Sequence, residues 1–264
     1  SSDVCSSDLS ARHMAGDGQA IHTDGRTNTL GARQRRGRGA ETVALGRGRA
    51  YNARLFCGDS REVDTMLAIV DYDAGNLRSV QRACTHVGIE AEITADPAVV
   101  RSADRVIFPG VGAATSAVDT LARTGLGDAL RDVFEAGRPV LGICLGSQIV
   151  LEHTEEDDRD CLCLVEGACQ RFEFSDRNLK VPHIGWNEIE IKRAHPLLRH
   201  VKSGDQFYFV HSYYAVPASA ANVVCTTEYG IEFCSAVGRD NLFASQFHLE
   251  KSGEIGLTVL AEFA

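Results

Sequence analysis

The sequence predicts an α/β protein: an open, doubly wound, mostly parallel sheet with antiparallel additions in its second half. Two observations carry this expectation. From Met66 to about residue 153, continuous apolar runs alternate with segments of helical period, the pattern of strands joined by crossover helices. After that point short alternating runs follow one another without long helices, as in antiparallel strands.

LAIVDY (67–72) is the first strand, and Asn76 is a plausible cap for a helix that places Leu77, Val80, Cys84 and Val87 at helical spacing. EAEIT (90–94) and RVIFPG (105–110) read as the next two strands. Residues 113–136 read as helical with a break near Gly125 and Gly127. PVLGIC (139–144) is a fourth strand and GSQIVLEH (146–153) a short helix. RFEF, WNEIEI, QFYFV, NVVCTTEY, IEFCSAV and LFASQFH are expected to extend the same sheet antiparallel, and 250–263 to close the chain as a helix.

Residues 1–65 differ. They are rich in Ser, Gly, Arg and Asp, show no sustained apolar period, and carry ten Arg against eight acidic groups. They are expected to be a disordered or non-native leader, with 66–264 as the domain and Met66 as its natural start. The arginines at 33, 35, 36 and 38 suggest a basic arm for RNA, but aromatic residues for base stacking do not interleave them.

The net charge of −9 argues against nucleic acid as the main partner. No run reaches the roughly 18 to 20 apolar residues of a membrane-spanning helix, and a secretory signal pattern is absent, so a cytoplasmic enzyme is expected. Nine cysteines, an odd number without a scaffold-like spacing, read as reduced thiols. Cys161, Cys163 and Cys169 have a C-x-C-x5-C spacing without a fourth ligand nearby, so no metal is expected.

The strongest local signal is Gly142-Ile143-Cys144-Leu145-Gly146, a G-x-C-x-G nucleophile elbow between an apolar strand and a helix. Flanking glycines suit a turn so sharp that strand and helix approach too closely for side chains. The helix start favours negative charge at the sulfur, and Leu145 N–H is the natural oxyanion donor. A buried packing cysteine would look similar taken alone. His248 and Glu250 supply a base and the acceptor that orients it; two residues apart on an extended strand end, they would share a face. An elbow cysteine at one strand end and a His-x-Glu at another meet along one sheet edge, which is stronger than either alone.

These residues resemble the class I glutamine amidotransferases and, more narrowly, the glutaminase subunits of imidazole glycerol phosphate synthase. The match runs through DYDAGNLRSV (71–80), FPGVGA (108–113), GICLGSQ (142–148), PHIGWN (182–187), FYFVHSYY (207–214) and QFHLEKS (246–252). The resemblance implies a Cys144-His248-Glu250 triad that hydrolyses L-glutamine without a cofactor. It implies oxyanion donors from Leu145 and from Val111 or Gly112, with Gln148 and the Ser212–Tyr213 backbone holding the amino-acid end. It implies a heterodimer with a (β/α)8-barrel cyclase that consumes the ammonia, and places Pro182, His183, Trp186 and Lys251 at or near that interface.

Two departures stand out: Leu249 where the family usually has Pro, which is expected to loosen the strand end, and a divergent acidic stretch at 153–169, expected to be a surface loop. The resemblance also fits an inactive subunit that keeps only the docking surface, which the intact Cys, His and Glu disfavour. Another elbow-cysteine hydrolase is disfavoured by PHIGWN and FYFVHSYY.

Overall fold

The computed structural model describes residues 65–264; residues 1–64, and the leader reading that falls on them, lie outside the described residues. Strand β1 (Leu67–Val70) pairs in parallel with β2 (Ala91–Thr94) on one side and β3 (Arg105–Gly110) on the other. Next to β3 comes β4 (Val140–Cys144), also parallel. The order β2-β1-β3-β4 reverses direction between β1 and β3, the topological switch point at which doubly wound sheets bind ligands beyond their strand C-termini.

The strands have helices on both faces, and their alternating side chains divide two cores. Ala68 and Val70 face a cluster with residues of α2 (Pro97–Ser102), α3 (Ala114–Thr124), α4 (Leu126–Glu135) and α5 (Leu145–Ile149). Leu67 and Ile69 face the opposite cluster with α1 (Leu77–His86) and α6 (Gly253–Phe263). Both faces of β1 and β4 are therefore dry, which is why these strands read as unbroken apolar runs. Gly125, at φ 76°, makes the break between α3 and α4 that the glycines at 125 and 127 announce.

The second half departs from expectation in four ways. The last strand of the sheet, β14 (Leu242–Ser245), is parallel to β4, so it completes the parallel layer instead of adding to the antiparallel one. The helix after the elbow stops at Ile149, and the acidic stretch is not a bare loop: β5 (His153–Thr154), β6 (Arg159–Asp160) and β7 (Gly167–Arg171) arise within or just beyond it. β8 (His183–Glu188) and β10 (Gln206–His211) form their own antiparallel ribbon, apart from the main sheet. Besides β6 and β7, the antiparallel additions are β9 (Glu190–Ile191), β11 (Tyr213–Pro217), β12 (Val223–Glu228) and β13 (Glu232–Arg239).

Fourth, Glu250 does not lie on an extended strand end: His248 has extended φ and ψ, and Leu249–Lys251 then form a 3-10 turn. Leu249 is fully buried in the core with Phe207, Phe247 and Leu260, so the segment is anchored by packing where loosening is expected from the missing Pro.

Candidate active site

Cys144 stands at the C-terminal end of β4 with φ 55° and ψ −104°, a conformation that costs a non-glycine residue about 1–3 kcal/mol and persists only where its surroundings enforce it. The enforcement is steric. A Cβ on Gly146 would penetrate the carbonyl oxygen of Phe108 on β3, and a Cβ on Gly142 would lie 2.9 Å from that of Ala244 on β14. The two flanking glycines thus let β3, β4, β14 and α5 converge beneath the sulfur.

The thiol is nearly buried, with Val210 O and Gln246 Nε2 each 3.9 Å from Sγ. His248 is 1% exposed, and its Nδ1 lies 2.6 Å from Glu250 Oε1. That carboxylate oxygen also accepts a short hydrogen bond from Asn76 Nδ2. A carboxylate can only accept from these donors, so Nδ1 carries a hydrogen and Nε2 is left open toward the thiol. Nε2 itself makes no hydrogen bond with another residue, and neither does Glu250 Oε2.

Burial opposes charge on the His248 ring, but the Cys144 sulfur and the Glu250 carboxylate more than offset it and push the imidazole up to about 9. Burial likewise opposes charge on Glu250, and His248, with help from the Asn76 amide, still holds the carboxyl below its usual range. A buried imidazole oriented by a carboxylate and beside a thiol is suited to take up the proton of the nucleophile and to pass it to a departing amine.

Asn76 occupies the position before α1 but does not cap it: its backbone is left-handed, at φ 65° and ψ 3°, and no side-chain cap bond forms. Its amide instead crosses to Glu250, a tertiary use that a cap-like position conceals.

Around Sγ lies a cavity of about 460 Å³ lined by Val111, Gly112, Cys144, Leu145, Gln148, Glu156, Pro182, Val210, His211, Ser212, Tyr213 and Lys251. All six residues expected to hold the oxyanion or the substrate are among them. Gln148 Nε2 donates to Tyr213 O at 3.2 Å and to Gln246 Oε1 at 3.3 Å, tying α5 to β11.

Leu145 begins α5, so its N–H lacks an intrahelical acceptor. Val111 is different: its N–H already donates to Ala74 O at 2.7 Å. The loop after β1 thus touches both halves of the site, holding Val111 through Ala74 and Glu250 through Asn76.

Besides Val210, two polar lining residues escape a reading of the sequence. Glu156, inside the acidic stretch, accepts from Ala114 N at 2.7 Å at the start of α3 and brings a carboxylate to the cavity wall. His211 is buried beside Ser212 and Tyr213.

The expected interface residues divide. Trp186 and its neighbour Ile184 are exposed on β8, with Trp186 packed edge-on against Tyr208 at 6.1 Å and Lys251 Nζ over the Tyr208 ring at 5.9 Å. Pro182 is exposed at the cavity rim, whereas His183 is buried and faces inward.

The glutamine amidotransferase class-I family model matches residues 68–264. Among curated proteins, the imidazole glycerol phosphate synthase subunit HisH of Desulfovibrio desulfuricans is 51% identical over 203 residues, covering 75% of this chain and 93% of that protein. The subunit of the same name from Nitrosococcus oceani is 46% identical over 200 residues, covering 75% and 95%. Among solved structures, PurLQS from Thermotoga maritima superposes with a TM-score of 0.58 at 20% identity, covering 75% of this chain and 97% of that one. A crystal structure of a glutamine amidotransferase gives 0.58 at 18% identity, covering 74% and 98%. These structural likenesses bear on the fold.

Proposed function

Because the chain belongs to the class-I glutamine amidotransferase family and, within it, to the HisH subunits of imidazole glycerol phosphate synthase, we propose that Cys144, His248 and Glu250 hydrolyse L-glutamine for histidine biosynthesis. The observation that carries this assignment is the strained Cys144 beside a buried imidazole whose other nitrogen is bound to a buried carboxylate.

Sγ attacks the side-chain amide carbon, and the tetrahedral oxyanion is met by Leu145 N–H. His248 delivers a proton to the departing nitrogen, ammonia leaves, and a γ-glutamyl thioester remains on Cys144. Water then attacks the thioester, His248 takes its proton, and glutamate and the thiolate are restored. Glu156 is suited to the α-ammonium group of glutamine, and the Ser212–Tyr213 backbone with Gln148 to the remaining amino-acid end.

Ala74 holds the N–H of Val111, one of the two candidates for the second oxyanion donor, and a resting N–H so engaged favours a latent enzyme that a partner switches on. We place the cyclase subunit, a (β/α)8 barrel by the family resemblance, on the face bearing Ile184, Trp186, Tyr208 and Lys251, beside the cavity rim. Ammonia passed directly into that partner escapes protonation in bulk water. Residues 66–264 are read as the catalytic unit and the cytoplasm as its compartment; no helix among the described residues is long and apolar enough to cross a membrane.

A glutamine analogue carrying an electrophilic diazoketone in place of the amide tests the assignment. Peptide mapping is expected to find the label on Cys144 and not on Cys163, the exposed thiol among the described cysteines. Labelling that tracks exposure instead, favouring Cys163, would contradict it.

A further inference from the structure

Behind the cavity, three side chains and a carbonyl form a continuous line. Asn187 Nδ2 lies 3.3 Å from His183 Nε2, His183 Nδ1 lies 3.1 Å from His211 Nε2, and His211 Nδ1 lies 2.7 Å from Tyr213 O. None of these three residues has a part in the chemistry above, yet the line ends on the carbonyl that Gln148 also grips.

Every hydrogen in the line can be assigned from its fixed ends. Tyr213 O can only accept, so His211 Nδ1 is the donor. In a neutral ring His211 Nε2 must then accept, which makes His183 Nδ1 a donor and His183 Nε2 an acceptor. The far end agrees independently: Asn187 Nδ2 also donates to Glu228 O at 2.9 Å, while Asn187 Oδ1 accepts from Glu188 N–H at 2.8 Å, so the amide cannot be reversed.

The surroundings keep both rings neutral. His183 lies between Tyr229 and Phe209, at centroid distances of 4.0 and 5.0 Å, and His211 packs on Phe172 at 5.3 Å. Burial lowers His183 to about 4 and His211 to about 3, so neither ring becomes charged under ordinary conditions.

We propose that His211, supported by His183 and Asn187, is a positioning residue for glutamine: a one-way chain of donors that fixes the Tyr213 carbonyl and so aims the 211–213 peptides at the substrate. This rests on the glutaminase reading of the cavity. The chain begins on β8, whose outward residues Ile184 and Trp186 are exposed while His183 and Asn187 point inward, so one short strand joins the outer face to the substrate wall.

Long-range proton–nitrogen NMR of the histidine rings, with kinetics in the complex with the cyclase, tests this. Both rings are expected as neutral Nδ1–H tautomers at pH 7. His211→Phe should raise the KM for glutamine about tenfold with kcat changed less than about threefold, the signature of a lost ground-state hydrogen bond. His211→Asn, whose amide nitrogen falls where Nδ1 was, should restore most of the affinity. His211→Gln, whose amide falls near Nε2, should not.

An Nε2–H tautomer on His211, or equal KM for the Phe, Asn and Gln variants, would overturn the proposal. If His211→Phe does not fold, the Asn and Gln pair and the wild-type tautomer decide the matter. A wild-type complex that fails to hydrolyse glutamine would refute the glutaminase reading, and the ring tautomers would still report on the chain.

Discussion

Cys144→Ala abolishes glutamine-dependent synthesis, by on the order of 10,000-fold or more, and leaves synthesis from added ammonia intact. The loss is large because the sulfur is the atom that bonds to substrate, and neither Val210 O nor Gln246 can substitute for it. Retention with ammonia follows from the burial of the sulfur, which sits in the elbow and is no part of the exposed face of β8. Alanine has the same backbone preferences at φ 55° and a smaller side chain, so the elbow and the docking face should survive. Loss of both activities would mean that Cys144 is needed for assembly and not only for chemistry.

Glu250→Gln gives the second large effect, a fall in kcat of roughly 100- to 10,000-fold, because the imidazole loses the charge that orients it and holds its proton. Protonated His248 is the form that donates to the departing nitrogen, so activity persists below its pKa and fails as pH rises through it. In the wild type that alkaline limb is expected near 9; in Glu250→Gln it should move down toward the ordinary 6.5. An unmoved limb would show that Glu250 does not set the state of His248. The same linkage bears on stability: because the folded value is raised, the pair's contribution is fully present below about 6.5 and is lost as pH rises through about 9.

The parallel half of the fold was legible because strands covered on both faces, such as LAIV and VLGIC, have no polar side to interrupt them. The direction of β14 was harder to read: its neighbours alternate, and the antiparallel context masked an apolar LFAS run whose four residues are all buried. The separate β8–β10 ribbon could not be foreseen from alternation, which marks a strand without naming its partner.

At the site, the elbow was readable because its glycines answer to local sterics that any such turn imposes. His248 and Glu250 were found by spacing, although a 3-10 turn and not a strand brings them together. Asn76 looked like a cap since its bond to Glu250 spans 174 residues, beyond any local pattern. Glu156 was hidden among neighbouring acidic residues; only the fold of β5 and β6 separates the one that reaches the cavity from Asp157 and Asp158, which are exposed. The two buried histidines were similarly silent, His183 because its motif pointed to the outer face and His211 because its chemistry lies in a hydrogen-bond line drawn from two strands.

The hydrogen bond from Val111 N–H to Ala74 O predicts a latent enzyme, and glutamate release measured with and without the cyclase subunit tests this directly. Slow hydrolysis alone, rising on the order of 100-fold or more when the cyclase and its bound nucleotide are added, is the expected result, in keeping with the gain from one oxyanion donor. Equal rates in the two conditions would contradict a partner-activated glutaminase.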